Sequence, residues 1–528
     1  MEQKNSSNNL TKLIDIGISL SKEKNIDILL EKILIEAKNI SKSDGGTVYL
    51  ISDNSRKLNF KIMHNESLKI HYGGSFENVP SSIYPVRLYN EDESQNLNNV
   101  AAVCALKAKT INIEDAYKND DFDFSGTKGF DKKYKYLSKS FLTVPLKNHK
   151  DKVIGVLQLL NPKKDGEIIS FSENLVELVE ALSSQASVAL TNQLLIDEQK
   201  ALFRSFIKLV VDALDKKDPV TGGHCNRVPL ITMMIAEYIN SDKTEKYKDF
   251  TFTEDEMDEL FVAGWLHDFG KVATPDHIMN KSTKLQGLYD KIDQIKLRFE
   301  ILKRDIELKL YKEYIDDSKI DNNSLQIQLK KINEDFNFLN ESNLGGEFMS
   351  DDLQNRVREI AKQKISIDNK TKPILSDKDV DFLTISRGTL SEEDRKIMEN
   401  HVSLSYELLD KLPYPEHLQE VPYIAGCHHE KLNGEGYPNG YTAEQLPLQA
   451  RIIAIADVFE GLTAPDRPYK KPYKLSKALK ILKFMVDDGE IDPDLFKLMI
   501  KNKLYLKYAN ENLLPEQIDS IDEKKLLG

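Results

Sequence analysis

A single tryptophan and three cysteines are all that 528 residues contain of either type. Three cysteines without CxxC spacing exclude a zinc ribbon and a disulfide framework, and they suit a reducing compartment. Nowhere do 18 apolar residues run together, so no membrane-spanning helix is expected. An excess of positive charge is missing too: 73 Lys and Arg against 85 Asp and Glu leave a formal charge of -12. That balance argues against general affinity for a nucleic-acid polymer. The opening MEQKNSSNNL lacks a basic flank followed by an apolar core, and the expected location is the cytoplasm. What the chain has is 40% hydrophobic and 30% charged residues, the composition of a soluble globular protein with room for about three or four domains.

From about residue 8 to 41, apolar residues at helical spacing (Leu10, Leu13, Ile14, Ile18, then Ile26, Leu29, Leu30, Ile33, Ala37) predict two helices. After Gly45 and Gly46 come TVYLIS, KLNFKIM, TINIED, FLTVPLKN and KVIGVLQLLN. Their β-branched content and turn-like breaks predict strands of one antiparallel sheet, closed by a helix from Ser172. This order, most of all in SFLTVPLKNHKDKVIGVLQLLNPKKDG, resembles a GAF domain, a small sensory module. The resemblance implies a small-molecule ligand or a dimerisation scaffold. It departs from the cyclic-nucleotide-binding subset, because Asn161 is followed by Pro162, and Leu175 and Val176 stand where that subset carries an acidic pair.

Ser172 to Asp215 holds neither Gly nor Pro, and Leu175, Val179, Leu182, Ala186, Ala189 and Ile196 recur close to a heptad seam. One long connecting helix is expected over 172–215. It is expected to dimerise in parallel, making the chain a homodimer with Leu175, Val179 and Leu182 in the contact; the alternative is a helix packed on its own domain.

The chemistry concentrates further on. HHEKLNGEGYP, His428 to Pro438, sets two imidazoles and a glutamate before a glycine-rich turn, a common way to present metal ligands, although a His pair in a loop is also a solvated surface feature. WLHDFGK places His267 and Asp268 at the end of an apolar run; the plainer alternative is a helix C-terminus stopped by Gly270. TGGHCNRV adds His224, IMENHVSLSYELL adds His401, and ARIIAIADVFEGLTAPDRPYK adds Asp457. Seven His and Asp side chains in five segments are enough for two metals. Cys225 and Cys427 flank ligand-type histidines but read as small buried fillers.

HDxGK, HHExxxGxGYP and DRPYK, in that order over roughly residues 200 to 500, resemble the HD-GYP family of metal-dependent cyclic dinucleotide phosphodiesterases within the HD superfamily. The resemblance implies that His224, His267, Asp268, His401, His428, His429 and Asp457 are metal ligands, with Asp268 bridging two divalent transition-metal ions, iron or manganese. It also implies that Lys271, Arg467 and Lys470 hold substrate phosphate, with Asp268 and Lys271 the catalytic pair and Gly436, Tyr437 and Pro438 the GYP turn. The implied activity is hydrolysis of cyclic di-GMP to pGpG, GMP or both. The alternatives are a non-hydrolytic cyclic dinucleotide receptor, a hydrolase of another cyclic dinucleotide such as cyclic GMP-AMP, or a mononucleotide hydrolase. Some family members carry a Glu four positions before the first ligand histidine; Val220 stands there, so two ions and not three are expected, unless Asp218 compensates.

Between Lys284 and about Leu390 the pattern is interrupted. Leu288, Ile292, Ile295, Phe299, Leu302 and Ile306, then Leu325, Leu329, Ile332, Phe336 and Leu339, predict an antiparallel helical hairpin turned by DDSKIDNN. Ser391 and Asp394 predict a variant capping box opening the helix that carries His401. The expected fold is thus multidomain α+β: a GAF-like domain with an antiparallel sheet over 8–195, the connecting helix over 172–215, and an all-α HD-GYP domain over 200–510 with the 284–390 insertion inside it.

Overall fold

Asn25 accepts hydrogen bonds from the backbone N–H groups of Asp27 and Ile28 and so starts α2 (Ile26–Ser41), which follows α1 (Glu2–Ser21). An Asn cap satisfies donors that a helix start leaves open. α2 buries Leu29, Leu30, Ile33, Leu34 and Ala37, one stripe at helical spacing. The computed structural model describes residues 2–52, 54, 56–81, 83–217, 223–241, 246–317, 322–345, 348–367, 370–465 and 472–527. The chain divides into two compact units, 1–203 and 204–528.

In the first unit, β1 (Ser43–Ile51), β2 (Lys57–Asn65), β3 (Ile70–Tyr72), β4 (Val86–Arg87), α3 (Val100–Lys107), β5 (Ile111–Ile113), α4 (Ser125–Tyr134), β6 (Phe141–Lys147), β7 (Val153–Lys164) and β8 (Glu167–Ile168) follow in turn. The strands form one antiparallel sheet in the order β3-β2-β1-β7-β6-β5, with β4 on β2 and β8 on β7. All five strand segments read from the sequence lie in it. Register sets Val48 and Val144 on either side of Leu157, and this face is covered by α2 and by the start of α5 (Glu173–Lys217). On the other face Tyr49, Leu58 and Val156 meet Ala101, Ala102 and Cys104 of α3.

The long helix is present, but most of its predicted seam is turned inward, with Ile196 left 46% exposed. Val179, Leu182 and Ala186 are fully buried in the core of their own unit, so they are not a dimer contact, and Leu175 is partly covered. A different row of α5 is left outside: Val188, Leu195, Leu202 and Leu209, each seven residues from the last, are 60%, 48%, 71% and 66% exposed. The helix satisfied its own sheet first, because an apolar sheet face must be covered within the domain.

The second unit is built from α6 (His224–Ser241), α7 (Glu254–Leu266), a 3-10 turn (Phe269–Ala273), α8 (Asp276–Met279), α9 (Ile292–Asp317), α10 (Asn322–Asn343), α11 (Asp351–Ala361), β9 (Lys364–Ile367), β10 (Lys370–Pro373), α12 (Asp377–Leu383), α13 (Glu392–Leu409), α14 (Val421–Gly426), α15 (Leu448–Thr463), α16 (Leu475–Asp487), α17 (Pro493–Lys501), α18 (Leu504–Asn512) and α19 (Glu523–Leu527). α9 and α10 are the two helices expected of the hairpin. Leu288 does not belong to it: it precedes α9 and is 94% exposed. The insertion is also more than a hairpin, since α11, the β9-β10 pair and α12 close a separate core around Phe299, Leu339, Val357, Ile374 and Leu383. Its two ends are stapled by Lys284, whose N–H donates to the Asn343 carbonyl at 2.8 Å and whose Nζ donates to the carbonyls of Leu383 at 3.1 Å and Ile385 at 2.8 Å. Among the described residues no helix is long and apolar enough to cross a membrane.

Candidate metal centre

Five segments bring the ligand-type residues together. His224 is the first residue of α6, His267 and Asp268 follow the last turn of α7, His401 sits within α13, His428 and His429 follow α14, and Asp457 lies on α15. α7 begins with a Thr253–Glu256 capping box, and α13 with the Ser391–Asp394 box read from the sequence. Both helices therefore hold a fixed start and deliver their histidines at a fixed depth.

Three imidazoles are oriented by the same device. His267 Nδ1 faces the Gly264 carbonyl at 2.7 Å, His401 Nδ1 that of Met398 at 2.5 Å, and His428 Nδ1 that of Ala425 at 2.7 Å, each three residues back. A carbonyl only accepts, so each Nδ1 carries a proton, and Nε2 is the nitrogen that a neutral ring offers to a metal. Asp268 stands between two imidazole groups. Its Oδ2 is 3.5 Å from His224 Nε2 and 3.4 Å from His267 Nε2, while its Oδ1 is 3.2 Å from His401 Nε2 and 3.8 Å from His428 Nε2. Asp457 Oδ1 lies 3.1 Å from His224 Nε2 and 3.9 Å from His267 Nε2.

Two clusters here could each hold a metal ion: His224 with His267 and Asp268, and His401 with His428 and His429. The donors fit that use. His401 Nε2 and His428 Nε2 are buried without any hydrogen-bond partner, a costly state for a polar atom that a metal would relieve. Imidazole nitrogens with carboxylate oxygens suit divalent transition metals.

Electrostatics separates the groups. Burial works against the Asp268 carboxylate, but the Lys271 ammonium and the neighbouring histidines hold its pKa well below the usual carboxylate range. Burial likewise opposes charge on His224, yet Asp268, Asp457 and Glu460 keep it well above an ordinary histidine. On the other side burial pushes His428 well down, helped by His429 and His267, and takes His429 to about 4. Burial thus favours the neutral, metal-binding form of those two rings, whereas His224 has to give up a proton to an incoming ion. Cys225 and Cys427 are buried thiols; burial raises the first well above the ordinary value and the second to about 12. They are fillers, as expected.

Lys271 Nζ is 2.6 Å from Asp268 Oδ2. Gly270 does not act as a left-handed helix stop. A Cβ there would stand 1.9 Å from the His401 carbonyl oxygen, so glycine is needed because the turn passes against α13. In the GYP turn, Tyr437 stacks on His429 with ring centroids 4.9 Å apart, and Glu430 accepts the N–H groups of Asn439 at 2.7 Å and Tyr441 at 3.0 Å. A Cβ on Gly436 would lie 2.3 Å from Lys431 N; Pro438 follows Tyr437 and completes the turn. Arg467 and Lys470 lie outside the described residues, as do Asp218 and Val220.

Two functional residues were not read from the sequence. Glu460, fully buried, accepts from His224 Nδ1 and, at 2.6 Å, from Arg227 Nε; its signal was its place three residues after Asp457, on the same helix face. Ser405, four residues after His401, accepts from Gly270 N–H at 2.7 Å and donates to the His267 carbonyl at 3.1 Å. It ties α13 to the segment that bears Asp268.

The GAF domain family model matches residues 25–190, and two HD domain models match residues 221–328 and 380–495. The chain thus joins a GAF domain to an HD domain. Similar curated proteins include the cyclic di-GMP phosphodiesterase response regulator RpfG of Xanthomonas campestris pv. campestris, 39% identical over 102 residues, which are 19% of this chain and 26% of that protein. Others are the 3'3'-cGAMP-specific phosphodiesterase 3 of Vibrio cholerae, 34% identical over 131 residues (25% of each), and a cyclic di-GMP phosphodiesterase of Thermotoga maritima, 34% identical over 100 residues, 19% of this chain and 27% of that one. The matched stretches span only about a quarter of these relatives. The crystal structure of the GAF domain from an Acinetobacter phosphoenolpyruvate-protein phosphotransferase aligns with 36% of this chain and 97% of its own, at 17% identity and a TM-score of 0.26.

Proposed function

We propose that this protein is a metal-dependent phosphodiesterase of the HD-GYP type that hydrolyses cyclic di-GMP to linear pGpG, GMP or both. The observation that carries the reading is the place of Asp268, with one oxygen toward each imidazole group. Divalent ions held there, iron or manganese, would activate water and neutralise phosphate charge. His224, His267 and Asp457 would serve one ion and His401, His428 and His429 the other, with Asp268 shared. Lys271 is charged, since the Asp268 and Asp457 carboxylates outweigh the effect of burial, and it offers a point charge to a non-bridging phosphate oxygen. Arg467 and Lys470 complete the phosphate clamp in this reading. Tyr437 fixes the His429 ring by stacking and covers it from water.

The domains follow as a sensory unit over 8–195, a connecting helix over 172–215 and a catalytic unit over 200–510 interrupted at 284–390. The sensory unit holds a cavity of about 340 Å³ lined by Tyr49, Phe60, Met63, His64, Phe141 and Gln158 among others, none of them Lys, Arg, Asp or Glu. An uncharged small molecule suits it better than a nucleotide phosphate, which would need a cation. The exposed row Val188, Leu195, Leu202 and Leu209 supports a parallel homodimer through α5.

Relatives named for 3'3'-cGAMP as well as for cyclic di-GMP make the choice of substrate part of the test. Anaerobically purified protein is expected to contain two iron or manganese ions per chain and to consume cyclic di-GMP faster than 3'3'-cGAMP. Tight binding of either nucleotide with no product would leave a receptor in place of an enzyme.

A further inference from the structure

The last turn of α5 reaches both segments that supply one half of the metal set. The Asp215 Oδ2 accepts from Gly223 N–H at 3.1 Å and from Asn226 Nδ2 at 3.2 Å, on either side of His224. It therefore ties the start of α6 to another helix, at the end where the helix dipole favours a carboxylate. Two residues later, Lys217 Nζ donates to the carbonyls of Val272 and, at 3.2 Å, Thr274. That places a cation on the C-terminal end of the 3-10 turn that follows His267 and Asp268 and carries Lys271, where open carbonyls favour positive charge. Neither contact reaches a ligand directly. Each holds the backbone from which a ligand projects: His224 in one case, the His267–Lys271 turn in the other. His401 and His428, like His267, donate Nδ1–H to a carbonyl three residues back.

We infer that Asp215 and Lys217 are positioning residues for His224 and for the His267–Asp268 turn, so that the end of the connecting helix sets the affinity of the position held by His224 and His267 more strongly than that of the position held by His401, His428 and His429, which it reaches only through the shared Asp268. The inference rests on the two-metal reading above. Groups that orient metal ligands from outside typically change metal affinity by about 10–100-fold when lost, and the same order is expected here.

The test uses the full chain, stripped of metal and titrated with Mn2+. Wild type should take up two ions. Asp215→Ala and Lys217→Ala should each weaken one of the two by about 10-fold or more and the other by clearly less. Asp215→Asn, which keeps the accepting oxygen, and Lys217→Arg, which keeps the cation, should restore it. Arg204→Ala serves as a control: Arg204 joins α5 to Asp258 by its Nε at 3.0 Å, so its loss should lower thermal stability without separating the two Mn2+ affinities. Asp215→Ala and Lys217→Ala binding both ions as tightly as wild type, or losing both in parallel with a lowered melting temperature, would overturn the inference while sparing the two-metal reading. Wild type that binds no Mn2+, iron or zinc would overturn both.

Discussion

The Asp268 carboxylate meets His401 Nε2 at 3.2 Å through Oδ1 while its other oxygen faces His224 at 3.5 Å, so one side chain serves two imidazole groups carried on different helices. Asp268→Ala should therefore cost both metal positions. Turnover should fall by more than the roughly 100-fold typical of outer partners, with helical content retained. Elemental analysis beside a turnover assay checks this, and a fully metallated, active Asp268→Ala would refute the bridging role.

Glu460 is buried against His224 and Arg227. Glu460→Gln keeps the shape but removes the charge that holds the His224 ring in place. Metal affinity should drop by about 10–100-fold with little change in KM at saturating metal. A change confined to KM would mean that Glu460 faces substrate instead.

Gly270 approaches α13 too closely for any side chain, with a Cβ placed 1.9 Å from the His401 carbonyl. Gly270→Ala should destabilise the second unit by about 1–3 kcal/mol, the usual cost of overpacking, and should lose metal as His401 is pushed away from Asp268. Thermal unfolding with and without Mn2+ reads both effects; an unchanged melting temperature would contradict the close approach.

Lys284 offers a pH test away from the metals. Burial lowers it to about 8, whereas in the unfolded chain it titrates near about 10.4. Between those values the unfolded state binds more protons, so this residue makes stability rise with pH from about 8 to about 10.4. Below that window the penalty for burying its charge is complete. Denaturant unfolding of wild type and Lys284→Met across the window should differ in slope, the variant lacking this increment; parallel curves would show Lys284 to be unperturbed.

The exposed row on α5 predicts the oligomeric state. Leu202→Glu combined with Leu209→Glu should give a monomer in light scattering at micromolar concentration, while Val179→Glu should unfold the first unit, since Val179 is fully buried there. A wild-type monomer under the same conditions removes the basis for a dimer through this helix.

Residue type and spacing alone determined much. The five strand segments, the two helices of the insertion, the Ser391–Asp394 box and the order of His224, His267, Asp268, His401, His428, His429 and Asp457 are local facts, set by periodicity, capping chemistry and the few side chains able to bind a metal. The heptad-like spacing of α5 was legible as well, but not the partner of each face. Val179 and Leu182 cover the sheet of their own unit, and the row through Leu195 and Leu202 stays outside. Only the tertiary structure decided that, because periodicity states which residues share a face and says nothing of what the face meets. The same holds for Gly270 against the His401 carbonyl, for Glu460 behind His224, and for Asp215 and Lys217 at the end of α5. Apart from Asp215, which reaches only as far as Gly223 and Asn226, each joins segments far apart in the chain, and the periodicity of one segment does not name its partner in another.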